Sequence, residues 1–405
     1  MRHPSLIRVP GPLEPFASGF ASELLRQGYT WRGARSQMRL MAHLSRWLAE
    51  EGLGAHDLRP SEVERFVAAR RAAGYSHHLS LKGMQPMLGL LRELGVAPTH
   101  SAPAPQGPVE EVLERFRRYL TLERGMGSPA VYTYVERARP FLCGRISVDG
   151  RHVDLEHLSA GDVTAFVVAC CPQQSRGVAK LTVTALRSLL RFLHLEGAIE
   201  RPLTAAVPSV AGWRLAGLPK GLEPAQVRKL LASCDRRTHI GRRDFALLTT
   251  LARLGLRAGE IAALKLDDID WRAGEIVVRG KGNRVERLPF PADVGEAVAA
   301  WLLHGRPESS EGRTVFVRIR APHRPLTTGS VSSIVAAAAR RAGLGEIRAH
   351  RLRHTAATLM LRAGATLPEI GQVLRHRCAA TTAIYAKVNR DALRTIARPW
   401  LGGVE

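Results

Sequence analysis

Apolar residues recur at helical rather than strand spacing through the first half of the chain. Val112, Phe116, Tyr119 and Leu120 fall at i, i+4, i+7 and i+8, which marks one buried helix face. Residues 61–69 read as a helix opened by a capping box, Ser61 followed three residues later by Glu64. Apolar-periodic stretches continue at 225–231 and 243–254, and then the pattern changes. Residues 275–279 and 285–290 are short β-rich runs around Gly280-Lys281-Gly282-Asn283, which predicts a hairpin with a lysine at its tip. Residues 314–319 (TVFVRI) read as a third strand, and a helix-rich C-terminus follows. The expected fold is mainly α, with a small antiparallel β-sheet in the C-terminal part.

Two segments punctuate this pattern. Residues 100–108 (HSAPAPQGP) and 210–222 (VAGWRLAGLPKGL) are interrupted by proline and glycine, dividing the chain into units of 1–100, 109–209 and 223–405. The first two units look related to each other. DLRPSEVERFVAA at 57–69 lies 100 residues before HLSAGDVTAFVVA at 157–169, with Leu, Val, Phe, Val and Ala at matched positions, and LLR recurs at Leu90 and Leu189. This favours a duplicated helical module, two bundles in tandem.

Charge adds a partner to the picture. The 405 residues carry 59 lysines and arginines against 36 acidic residues, a formal net charge of +23, while 45% are hydrophobic. That apolar content excludes a disordered chain, and the charge points to a polyanion. Only seven of the basic residues are lysine: Lys82, Lys180, Lys220, Lys229, Lys265, Lys281 and Lys387. A task that needs a lysine therefore has few candidates. No stretch approaches the roughly 20 apolar residues of a membrane helix, and the N-terminus has no apolar signal region, so a cytoplasmic protein is expected. Five cysteines without a C-x-x-C pair argue against a disulfide framework and a zinc site.

Four ordered segments carry the candidate chemistry: ARLGLRAGEIAAL with Arg257 and Glu260, the GKGN turn with Lys281, AHRLRHTAATLM with His350, Arg353 and His354, and LRHRCAATTAIYAKV with His376 and Tyr385. Singly they mean little, since H-x-x-R occurs four times in this chain. Tyr385 is more telling, because the other five tyrosines all lie within the first 134 residues. In conjunction, the segments make the C-terminal unit resemble the catalytic domain of the tyrosine recombinases, the phage integrase family. They match its T-G-L-R-x-x-E segment, its lysine-bearing hairpin, its H-x-L-R-H box and the stretch ending in its nucleophile.

The resemblance implies a DNA strand-transferase that cuts and rejoins DNA through a 3′-phosphotyrosyl intermediate and a Holliday junction, without metal or cofactor. Tyr385 would attack the scissile phosphate. Arg257 and Arg353 would clamp its non-bridging oxygens, a task suited to the guanidinium fork. Lys281 would protonate the leaving 5′ oxygen, which arginine cannot do at accessible pH. His350 would act as base toward Tyr385 or hold it, His376 would bond the phosphate, Glu260 would orient Arg257, and His354 is a supporting neighbour. The family usually carries glycine where this chain has Arg375, so Arg375 and Arg377 are expected on DNA.

The resemblance also makes residues 109–209 a helical core-binding (SAM-like) domain that clamps double-stranded DNA, with Arg115, Arg117, Arg118, Arg124, Arg137 and Arg139 as candidate phosphate contacts. Residues 1–100 become a second core-binding-like module, an arm-binding domain or a protein-interaction domain. The implied assembly is a homotetramer on two recombination sites, with accessory or sister recombinases as further partners, and the apolar residues of the tail, Leu393, Ile396, Trp400 and Leu401, would dock on a neighbouring subunit. The leading reading is a site-specific recombinase of an integrated or transposable element. The alternatives are a type IB topoisomerase and an accessory DNA-binding protein with a vestigial site.

Overall fold

The computed structural model describes residues 7–98, 106–211, 221–280, 285–310, 312–376 and 378–388. Lys281, Arg377 and the tail beyond Val388 lie outside the described residues. By contact the chain forms two units, residues 101–216 and residues 1–100 with 217–405. It is mainly helical, with one three-stranded antiparallel sheet.

Residues 7–98 fold into four helices: α1 (Ala17–Arg26), α2 (Trp31–Glu50), α3 (Pro60–Ala72) and α4 (Leu81–Glu93). They enclose a core that includes Phe20, Leu24, Met38, Met41, Leu44 and Leu91. Ser61 is not the N-cap that the sequence predicts. The helix begins at Pro60 with Arg59 as N-cap, because proline at the first helical position has φ preset and no N–H to leave unpaired. The turn after α1 packs on the C-terminal part of the same unit. Gly28 has φ +79°, and a Cβ there would come within 2.4 Å of both His323 and Ser309.

Residues 106–211 repeat the four-helix order: α5 (Pro108–Arg118), α6 (Ser128–Cys143), α7 (Ala160–Cys170) and α8 (Arg176–Leu195). Their core includes Phe116, Phe141, Leu186, Leu190 and Phe192. Ala160, the first residue of α7, lies 100 positions after Pro60, the first residue of α3. Here the N-cap is a serine: Ser159 Oγ accepts from the backbone N–H of Asp162, whose carboxylate accepts from Ser159 N at 2.9 Å.

The C-terminal part begins with α9 (Pro224–Ala232), α10 (His239–Leu254) and α11 (Ala258–Ala263). Strands β1 (Ile269–Asp270), β2 (Glu275–Arg279) and β3 (Val285–Pro289) then pair in sequence order. The register runs Glu275↔Pro289 to Arg279↔Val285. Ile276, Val278 and Leu288 face the core with Phe290, Trp301 and Phe316. Helices α12 (Ala292–His304), α13 (Thr328–Arg341), α14 (Ala349–Arg362), α15 (Leu367–Val373) and α16 (Ala379–Thr382) follow, and a 3₁₀ turn (Ala383–Val388) carries Tyr385.

The strand expected at 314–319 is a correction. Val315, Phe316 and Val317 are all fully buried, so the run lacks the in-out alternation of a half-exposed strand. Its backbone makes only isolated bridges, Lys265↔Thr314 and Val317↔Pro325, and the Val315 carbonyl accepts the Trp301 indole N–H at 2.9 Å. The third strand is instead the two-residue β1. Among the described residues no helix is long and apolar enough to cross a membrane.

Candidate active site

The first corner of the site is set by a glycine. α10 ends at Gly255 in the left-handed conformation, φ +59°, and a Cβ there would come within 2.6 Å of Leu374. Glycine meets both demands without strain. The chain then turns into α11 with Arg257 as its N-cap residue. Glu260 is buried and receives three donors. Its Oε1 accepts from Arg257 Nη1 at 2.7 Å, and its Oε2 accepts from the Arg257 backbone N–H at 2.8 Å and from Arg375 Nη2 at 2.7 Å. Arg257 remains open, its side chain 41% exposed.

Helix α14 supplies the second group. Residues three and four apart share a helix face, so His350, Arg353 and His354 lie together. Arg353 is almost wholly buried. Its Nη1 donates to the Gly255 carbonyl at 2.7 Å and its Nη2 to the Leu374 carbonyl. Arg257 Nη2 donates to the next carbonyl, that of Arg375, at 3.4 Å. Two arginines from different helices thus hold consecutive carbonyls immediately before His376. Burial, with Arg257 and Arg375 nearby, brings the Arg353 guanidinium down to about 10.

The third group closes on the tyrosine. Tyr385 is buried against Ala357, Ile370 and Leu374, and its hydroxyl lies 2.9 Å from His354 Nδ1. His354 stands edge-on to His350, ring centroids 4.5 Å apart. His376 is nearly parallel to the Tyr385 ring at 6.4 Å, and its Nδ1 is held by Thr382 Oγ1 at 2.8 Å. Desolvation, then His350 and Arg353, push His354 down to about 4. Desolvation and the neighbouring arginines do the same to His376, also to about 4. His350 is lowered by the same causes, while burial raises the Tyr385 phenol above its ordinary value. Both strongly shifted histidines are therefore neutral at pH 7.

The structure brings Arg257, Glu260, His350, Arg353, His354, His376 and Tyr385 into one cluster around the 374–376 turn. It corrects the expectation for Arg375. That guanidinium is buried rather than open: its side chain is 4% exposed, bound to Glu260 and to the Val373 carbonyl. Its backbone has φ +55°, the left-handed region, which accounts for the glycine the family usually carries there. The hydroxyl partner of Tyr385 is His354 rather than His350, a distinction that helical spacing cannot make. Among the described residues no three His, Cys, Asp or Glu side chains gather as a metal ligand set.

The helical-domain arginines divide into two groups. Arg115 pairs with Glu196, Arg117 with Glu114, and Arg139 with Glu110 and Glu136. Arg118, Arg124 and Arg137 have no carboxylate at ion-pair distance among the described residues, although Arg124 reaches the Tyr119 hydroxyl at 3.5 Å. Sequence reasoning missed a further row. Arg176, Lys180, Arg187 and Arg191 recur along one face of α8, a spacing that was readable as i, i+4, i+11 and i+15.

An exposed arginine and a buried one, three histidines and a buried tyrosine form a centre suited to a phosphate oxyanion and an oxygen nucleophile, the equipment of a phosphoryl-transfer enzyme that works through tyrosine. The comparisons agree. Residues 220–391 match the phage integrase family. A putative integrase/recombinase, y4rA, of Sinorhizobium fredii is 40% identical over 98% of this chain and 97% of its own length. The tyrosine recombinase XerC of Oceanobacillus iheyensis is 31% identical over 71% of this chain and 94% of its own. Among solved structures, the XerH recombinase bound to palindromic difH shares the fold at TM-score 0.55 and 19% identity, covering 84% of this chain and 94% of that one. A lambda integrase (75–356) dimer on a COC′ core site does so at 0.54 and 18%, covering 73% and 98%. The chain belongs to the phage integrase family of tyrosine recombinases, site-specific recombinases that act as DNA strand-transferases.

Proposed function

We propose that the chain exchanges DNA strands through a covalent 3′-phosphotyrosine, four copies acting on two duplexes and passing through a Holliday junction. The observation that carries this reading is the Tyr385 hydroxyl on His354 Nδ1 at 2.9 Å, within a cluster whose open cation is Arg257. In the first step the Tyr385 oxygen bonds to the scissile phosphorus and the bond from phosphorus to the 5′ oxygen breaks. The phenolic proton passes to His354, with His350 beside it, and Lys281 returns a proton to the leaving oxygen. Arg257 and Arg353 take the non-bridging oxygens, where each preorganised donor is worth about 3 to 4 kcal/mol of transition-state energy. The arriving phosphate also offsets the arginine part of the effect that depresses the histidines, whose larger cause is desolvation, and so raises their basicity.

Several further supports are consistent with this reading. A lambda integrase tetramer bound to a Holliday junction shares the fold at TM-score 0.53, and so does a Tn1549 transposon integrase in complex with circular intermediate DNA at 0.52. We assign this chain to an integrated or transposable element on that basis. We keep three parts, 1–100, 109–209 and 223–405, a reading supported by a separate hydrophobic cluster in each, although by contact the first and third form one unit. In the middle part, Arg118, Arg124 and Arg137, which meet no carboxylate among the described residues, and the α8 row are the phosphate-facing set.

The test uses nicked half-site duplexes drawn from the DNA flanking the protein's own coding sequence. A covalent protein–DNA adduct is expected with the parent and none with Tyr385→Phe. No adduct on any such duplex would make the chain an accessory DNA-binding protein, and an adduct that relaxes supercoils on arbitrary DNA would make it a topoisomerase.

A further inference from the structure

Helix α2 carries a feature that the catalytic centre does not use. At 3.6 residues per turn, Arg32, Arg35, Arg39, His43 and Arg46 fall within an arc of about 80° on one side of the helix, while the buried Met38, Met41, Leu44 and Leu48 occupy the opposite side. The four arginines are exposed. Among the described residues none of them has a carboxylate at ion-pair distance; Arg35 lies over the Trp31 ring at 5.1 Å, and Arg46 Nε reaches only the Ala42 carbonyl of its own helix, at 3.4 Å. Nearby Arg65, by contrast, binds both Glu51 and Glu62.

The row ends in a built hollow. Arg39, His43 and Arg46 line it with Arg8, Ile7, Pro10 and Ala42, a space of about 290 Å³ with no carboxylate in its wall. His43 is held in one tautomer. Arg70 Nη1 lies 2.9 Å from its Nδ1, and because a guanidinium can only donate, Nδ1 accepts and the ring proton sits on Nε2. Arg70 is itself buried, lying over Tyr75 at 4.2 Å and donating to the His77 carbonyl at 3.0 Å. Burial, with Arg46, Arg70 and Arg39 around it, lowers the imidazole below its ordinary value, and with Nδ1 taken by Arg70 the ring offers one N–H donor.

We propose that this face of α2 is a DNA-backbone contact surface, which makes the N-terminal four-helix part a DNA-binding module in addition to the catalytic centre. The guanidiniums of Arg32, Arg35, Arg39 and Arg46 take phosphate oxygens and His43 Nε2–H adds a neutral bond, with Arg8 closing the hollow. Arg32 to Arg46 spans about 21 Å along the helix, the rise of about six phosphates on one strand. A protein partner would call for an apolar interface centre, whereas the centre of this row is guanidinium and imidazole. The proposal rests on the reading of the chain as a DNA recombinase.

The experiment replaces Arg32, Arg35, Arg39 and Arg46 together by glutamine in the full chain. Affinity for an arbitrary-sequence duplex, long enough to pass well beyond one core site, is then titrated between about 50 and 200 mM salt. The slope of log affinity against log salt is expected to become shallower by about 1.8 to 3.6, and by about 0.9 for Arg39→Gln alone. A second quadruple variant, Arg59, Arg65, Arg71 and Arg92 to glutamine, removes the same charge off the row and is expected to change the slope by less than about 1. Thermal unfolding of each variant checks that the module is intact. An unchanged slope in the row variant, or an equal change in both quadruple variants, overturns the proposal. A row-dependent slope in a protein that forms no tyrosyl adduct would sink the recombinase reading and leave the row standing; an adduct with a row-independent slope would do the reverse.

Discussion

The Tyr385 hydroxyl meets His354 Nδ1 at 2.9 Å, and His350 stands one ring further out, with its centroid 4.5 Å from that of His354. A proton leaving the phenol therefore reaches His354 first. His354→Ala is expected to slow half-site cleavage by about 10² to 10⁴-fold, the range for loss of a positioned acid–base group. His350→Ala is expected to slow it less. Single-turnover adduct formation at saturating DNA measures both, and a larger loss in the His350 variant would return the base to that residue.

Stability should depend on pH through the buried histidines. His354 and His376 have folded values near 4 against an ordinary 6.5, so between pH 6.5 and 4 the unfolded chain binds protons that the folded chain refuses. Their contribution is fully present above pH 6.5 and is lost progressively as pH falls toward 4. The melting temperature is expected to drop over that window, and His354→Gln with His376→Gln should flatten the drop. A parallel decline in parent and double variant would contradict the assignment.

Glu260 and Arg375 form a pair with both side chains 4% exposed. Glu260→Ala leaves a buried guanidinium without its carboxylate, which is expected to cost about 3 to 5 kcal/mol. Arg375→Ala and Arg375→Gly both remove the pair, but only glycine suits φ +55°. The glycine variant should be the more stable of the two by about 1 to 2 kcal/mol, as read from urea denaturation. Equal stabilities would show that the backbone is not held in the left-handed region.

In the middle unit, the carboxylates that hold Arg115, Arg117 and Arg139 should blunt their hold on DNA. Neutralising Arg118, Arg124 and Arg137 to glutamine is expected to reduce the salt slope of DNA binding by about 2.7 if each touches one phosphate. Neutralising the paired trio should change it less. Equal effects would mean that DNA breaks the ion pairs seen here.

Much of this was legible in the sequence, for physical reasons. The helices announce themselves by periodicity, and the order of Arg257, His350, Arg353, His376 and Tyr385 survives because each is set by a local element. What escaped depends on contacts between distant segments. His350 and His354 share a face of α14, and only the docking of the 3₁₀ turn decides which of them meets Tyr385. Arg375 reads as a DNA contact in the sequence because its partner Glu260 lies 115 residues away. The run at Val315–Val317 has strand-like composition, but its carbonyls and amides are claimed by loops and by Trp301, whereas β1 is two residues long and has no periodicity to detect.

The consecutive Leu374 and Arg375 carbonyls bonded to Arg353 and Arg257 act as a placeholder. Neutral oxygens of the chain itself occupy donors that a substrate anion would otherwise have to assemble. On the proposed reading the two guanidiniums are held in place before DNA arrives, and a phosphate would enter by exchanging one oxygen ligand for another. The turn that lends those oxygens runs directly into His376 and on toward Tyr385, so on that reading releasing it and admitting the substrate would be a single event.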